Sequence, residues 1–194
     1  MGQRSQIILL RKDEEGIKVQ TAYHNQWRYG IGFLSTLEEI LKAWDQGIGK
    51  LEKEERLYDW QLGNLAEKVI EYVNVKDFPD VCGYSEIQNE RYPKDKTIQE
   101  LIKHFDNNNG FIILLLDGKK LSYDIITGDE DADENRRIDA EGYLRLFYKT
   151  DKEIVATGLD LEEVNEMIEN IKTKERFNSE EIILGKQEVK EVEK

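Results

Sequence analysis

The chain has 194 residues, of which 39% are hydrophobic and 36% charged, and its 41 acidic against 28 basic side chains leave a net charge of −13. A chain of this size buries about 70% of its unfolded surface, enough for one core without a disulfide or metal staple. Two prolines, one cysteine and no apolar run longer than Phe111–Leu116 exclude linker-like, disulfide-scaffold and membrane-spanning classes.

In chain order, Ser5–Leu10 and Ile17–Tyr23 read as two strands of a hairpin, with Gly16 supplying a positive φ in the turn Lys12–Gly16. The run His24–Gly30 breaks the alternation. A helix is then expected from Thr36 as N-cap, with Glu38 and Glu39 in its first turn and Leu37, Ile40, Leu41 and Trp44 on one face, ending at Gly47 and Gly49. A second helix spans about Leu57–Val73, with Gly63 as its weak point. Residues 74–96 are irregular, and Thr97-x-x-Glu100 opens a short helix to Asp106.

Phe111–Leu116 and Lys120–Ile126 flank Asp117-Gly118, the strongest hairpin signal of the chain. The continuous apolar run places the first of these strands centrally, buried on both faces. A polar segment, Thr127–Gly142, leads to an expected strand at Tyr143–Tyr148 and a short one at Glu153–Ala156. Asp160-x-x-Glu163 caps a helix to about Lys174. The fold expected is a single α+β domain over residues 1–178, an antiparallel sheet of about five strands (two hairpins plus one) with helices packed on one face, followed by a charged tail over 179–194.

The charge is unevenly spread: residues 1–30 carry a net of +2, so the rest carries −15. Such a field repels nucleic-acid backbones and attracts a basic surface on another protein. Phosphate-binding glycine motifs are absent, and one Cys with two His cannot build a structural zinc site. The acidic run Asp129, Glu130, Asp131, Asp133, Glu134 opens like a calcium loop. It has Glu134 where the sixth position needs Gly, and Ala140 where the twelfth needs Glu. It reads instead as a solvated acidic loop, whose other role is a protruding anionic surface for a basic partner, with Glu52, Glu54 and Glu55 as further contact residues. No catalytic residue, cofactor or metal is assigned: Cys82 lacks a nucleophile signature, and His104 reads as a helix boundary residue.

The first hairpin brings its open ends together. Arg4 and Gln6 should lie beside Tyr23–Trp27, gathering Arg4, His24, Trp27 and Arg28 into a basic and aromatic cluster in an acidic chain. Two arginines and a stacking ring suit a small anionic ligand such as a signalling nucleotide; the alternative is that Trp27 and Tyr29 are core anchors and the polar groups cap the hairpin end. A metal-dependent nuclease or hydrolase using carboxylates and His24 is the enzymatic alternative.

The opening Met1-Gly2-Gln3-Arg4-Ser5-Gln6-Ile7, followed by Tyr23-His24-x-x-Trp27 and Tyr29-Gly30, resembles a set of small proteins encoded by phages and mobile elements of Gram-positive bacteria. The likeness covers about the first 30 residues, and no catalytic residues carry over. It implies an accessory protein acting on host defence or host machinery. In general character, acidic and cysteine-poor, the chain is similar to anti-CRISPR and DNA-mimic inhibitors. The expectation is a cytoplasmic inhibitor that binds a host protein with a basic nucleic-acid-binding surface, such as an RNA-guided nuclease, and contacts neither nucleic acid nor membrane itself.

Overall fold

The computed structural model describes residues 4–26, 28–51, 59–76, 110–129 and 132–183. Strands β1 (Arg4–Asp13) and β2 (Gly16–Gln26) make the first hairpin, turning at Gly16 with φ +120°. Strands β3 (Phe111–Asp117) and β4 (Lys120–Asp129) make the second, turning at Gly118 with φ +57°. Strand β5 (Ala132–Arg137) pairs antiparallel with the far half of β4.

The sheet order is β2-β1-β3-β4-β5, so β3 is central as its apolar run predicts. The two hairpins join through a parallel pairing of β1 with β3, from Gln6 opposite Phe111 to Lys12 opposite Asp117. This one parallel ladder in an otherwise antiparallel sheet has a physical cause. Ile7–Leu10 and Ile112–Leu114 are at most 1% exposed, so both strands carry apolar side chains on both faces. Setting them side by side at the centre leaves the more polar strands at the edges.

Among the described residues six helices accompany the five strands: α1 (Ile31–Leu51), α2 (Asp59–Lys76), α3 (Ala140–Phe147), α4 (Asp151–Ala156), α5 (Leu161–Lys172) and α6 (Ser179–Ile183). The architecture is α+β. One face of the sheet, through Ile7, Leu9, Ile112, Leu114 and Ile125, forms the main core with Phe33, Leu37, Leu41 and Trp44 of α1, Ala66 and Ile70 of α2, Tyr143 of α3 and Ile168 of α5. The other face, through Ile8, Leu10, Phe111, Ile113 and Ile126, forms a second buried cluster, against which Phe177, Ile182 and Ile183 pack. None of the described helices is long and apolar enough to cross a membrane.

Several local expectations are corrected. Helix α1 begins five residues before Thr36, whose hydroxyl donates to the Gly32 carbonyl within the helix at 2.8 Å instead of capping it. The helix also runs through Gly47, where a Cβ would stand 3.3 Å from the Leu65 methyl groups. That glycine lets α1 and α2 approach closely, and packing overrides its value as a stop signal.

Tyr143–Tyr148 and Glu153–Ala156 are helical rather than extended, and the fifth strand is formed by Ala132–Arg137 within the polar segment. Asp139 caps α3 by accepting from the Gly142 amide at 2.6 Å, and Thr150 caps α4 by accepting from Glu153. With the start fixed there, the helical turn buries Tyr143 and Leu144 while Leu146 stays 59% exposed. The expected cap at Asp160 is present, accepting from Glu162 and Glu163. Ser179–Ile183, expected within the charged tail, is helical, and Ser179 is fully buried. The expected helix Thr97–Asp106, and Cys82 and His104, lie outside the described residues.

Candidate functional site

The acidic run falls at the connection between β4 and β5. Asp129 pairs with Ala132, leaving two residues, Glu130 and Asp131, between them in sequence. Between Thr127, opposite Arg136, and Asp129, opposite Ala132, β4 advances two positions while β5 advances four. The backbone of Asp133 and Glu134 thus lies in a bulged stretch of an edge strand. Bulges there interrupt pairing and re-aim side chains. Glu130 and Asp131, together with Glu52, Glu54 and Glu55, lie outside the described residues.

At the opposite hairpin, the β1–β2 register sets Arg4 against Gln26 and Gln6 against His24, so the backbones of these four residues meet at that sheet end. Trp27 lies outside the described residues. Arg28 is only 3% exposed. Its guanidinium donates to the Thr36 hydroxyl of α1 and, at 3.5 Å, to the Val73 carbonyl of α2. Part of its donor fork therefore ties two helices together.

Beyond it the chain turns at Gly30, φ +53°, against the rings of Phe147 and Tyr148. Tyr29, 38% exposed, sits with its ring 5.8 Å from Phe147. Deeper in, Tyr143 stacks on Phe33 at 4.1 Å. Burial pushes the Tyr143 hydroxyl well above the ordinary tyrosine range, which the Gly30 backbone offsets only in part.

A shallow cleft of about 240 Å³ opens between α3, α4 and α5, floored by Leu144, Ile154 and Ile168. Four of its rim charges pair with one another. Arg145 meets Glu141, and Lys172 meets Glu169 at 2.9 Å and Glu141 at 3.6 Å. The bond to Glu169, then the charges of Glu169 and Glu141, hold the Lys172 amine above its ordinary range. Among the described residues, no three His, Cys, Asp or Glu side chains come together to hold a metal ion.

The most organised polar group was not anticipated from the sequence. Asp124 on β4 is fully buried, and its carboxylate accepts from Arg137 Nε at 2.9 Å, Arg176 Nε at 2.8 Å, the Ser179 hydroxyl at 2.6 Å, and the Ser179 and Ile125 amides at 3.0 Å. Two cations and three further donors around one carboxylate make a compensated ionic knot. The one sequence signal was a lone Asp in an alternating apolar strand, which demands such partners if it is buried.

Comparison of the chain with models of protein families, with curated proteins and with solved structures finds no match.

Proposed function

We propose that this chain is a non-catalytic binding protein, an accessory protein of a phage or mobile element acting in the host cytoplasm. In this reading it inhibits a host defence protein by engaging its basic nucleic-acid-binding surface. The observation that supports it is the seating of the acidic run at the end of the β4–β5 hairpin. Five of the six residues from 129 to 134 are acidic, and the strand that carries the last of them bulges at the edge of the sheet. A chain of net charge −13 also accelerates encounter with a basic groove, and salt weakens that steering.

The test is affinity capture from a lysate of a Gram-positive host, comparing the wild-type chain with the Asp129→Ser, Asp131→Ser, Asp133→Ser triple variant. The expected captured protein binds nucleic acid, releases it on adding the chain, and binds the variant more weakly with a flatter salt dependence. Equal affinity for both chains at every ionic strength overturns the reading. So does a captured protein that keeps its nucleic acid.

A further inference from the structure

Residues 175–183 hold to the rest of the chain in an unusually concentrated way. The free edge of β4 is shared along its length by two segments. Strand β5 and Ile138 take its far half, and Glu175–Phe177 takes the position of Tyr123. There the Tyr123 amide donates to the Glu175 carbonyl at 3.1 Å, and the Phe177 amide donates to the Tyr123 carbonyl at 3.0 Å. From that single bridge the chain passes to the second face of the sheet, where Phe177, Ile182 and Ile183 are each only partly buried.

Lys120 pairs with Glu175 at 2.5 Å at the start of this segment, and a denser set of polar anchors converges on Asp124. Arg176 and both donors of Ser179 reach its carboxylate directly. Arg137, oriented by the same carboxylate, passes its other donor to the Phe177 carbonyl at 2.8 Å. Arg176 likewise reaches the Ile138 carbonyl. The Arg137 and Arg176 side chains stay 29% and 26% exposed, so water reaches the arginine side of the knot although the carboxylate is sealed.

We infer that residues 175–183 form a strap that opens as a unit separate from the helical core, with Asp124 as its latch. The two arginines stand against one carboxylate. Removing its charge leaves two neighbouring cations without their common counter-ion, and both are bonded to the strap or part of it. The helical core draws none of its buried members from the strap, so it can persist while the strap is off. Opening withdraws Phe177, Ile182 and Ile183 from the second-face cluster and uncovers the backbone of β4 at Tyr123, an edge of the kind to which a further strand adds.

Residue-resolved hydrogen exchange on the full chain tests this. In the wild type, the amides of Tyr123 and Phe177 are expected to exchange at least about tenfold faster than those of Leu37–Trp44 in α1. Asp124→Asn should accelerate Tyr123 and Phe177 by a further factor of about ten or more and leave α1 within about twofold. Arg176→Gln, which leaves Arg137 to neutralise Asp124, should act in the same direction but less. These two amides report the strap because neither bonds to the side chain at 124. Equal protection of strap and α1 in the wild type overturns the proposal. So does Asp124→Asn exchange that rises in α1 as much as in the strap, or that does not change.

Discussion

Gln20 reaches across Gly63 to donate its side-chain amide to Glu67 at 2.8 Å, joining the edge strand β2 to helix α2. It can do so because β2 bulges there. Leu9 faces Thr21 and Leu10 faces Val19, which leaves Gln20 outside the ladder. A Cβ at position 63 would stand 2.8 Å from the Gln20 amide nitrogen and 3.0 Å from its oxygen. The glycine that weakens the helix pattern in the sequence is the one that admits this contact.

Gly63→Ala therefore sets two effects against each other. Helix propensity alone favours alanine by about 1 kcal/mol. Here the Gln20 side chain must swing away and give up its bond to Glu67. Urea unfolding should show Gly63→Ala neutral or destabilising in the wild-type background and stabilising by about 0.5–1 kcal/mol in a Gln20→Ala background. Equal effects in the two backgrounds would show that Gln20 does not contact this position.

Arg28 carries a structural load whatever else it does. Replacing it by Met keeps the stem but removes the donors to Thr36 and Val73, so α1 and α2 lose a buried tie. The expected loss is about 2–4 kcal/mol in thermal or urea unfolding. Stability within about 0.5 kcal/mol of wild type would mean that the guanidinium adds nothing to the fold.

Gly110 immediately precedes β3 with φ +133°, and a Cβ there would lie 3.0 Å from both the Ile126 carbonyl oxygen and the Tyr143 ring. Neither neighbour can retreat, because the first is ladder backbone and the second is packed on Phe33. Gly16 has a similar φ of +120° with nothing within 4 Å. Gly16→Ala should cost about 1 kcal/mol of backbone strain, and Gly110→Ala about 2–4 kcal/mol because the clash adds to it. Equal losses in paired melts would remove the steric account.

The alkaline limit of stability should depend on Tyr143. Its folded-state pKa lies well above the ordinary value because burial disfavours the phenolate. Above about pH 10 the unfolded chain releases this proton while the folded chain keeps it, so stability falls as pH rises. Burial moves Tyr123 the same way, against the nearby Arg176. Tyr143→Phe should leave stability at pH 7 within about 1 kcal/mol and move alkaline unfolding to higher pH. An unchanged alkaline midpoint, followed by circular dichroism, would show that Tyr143 does not set it.

Much of the fold was legible because the signals that specify it are local. Glycine at the two turns, the alternation of Ile17–Tyr23, the unbroken run Phe111–Leu116 and the cap at Asp160 each act within a few residues. Both hairpins, the central position of β3 and helix α5 follow from them. The same was true of the meeting of Arg4 with the end of β2, since a hairpin turn fixes which residues lie opposite.

What tertiary structure decided is whatever needed a partner distant in the chain. The sequence could not show that β1 lies parallel to β3, because that pairing is settled by which apolar strands compete for the centre of the sheet. Tyr143–Tyr148 fits either period, and only burial of Tyr143 against Phe33, with Asp139 capping the turn, selects the helix. Gly47 and Gly63 look like interruptions until Leu65 and Gln20 come to rest on them. Arg28 looks available for a ligand until α1 and α2 close around it. Asp124 finds Arg176 and Ser179 more than fifty residues away, and a buried carboxylate declares its role only when the chain has folded its counter-charges around it.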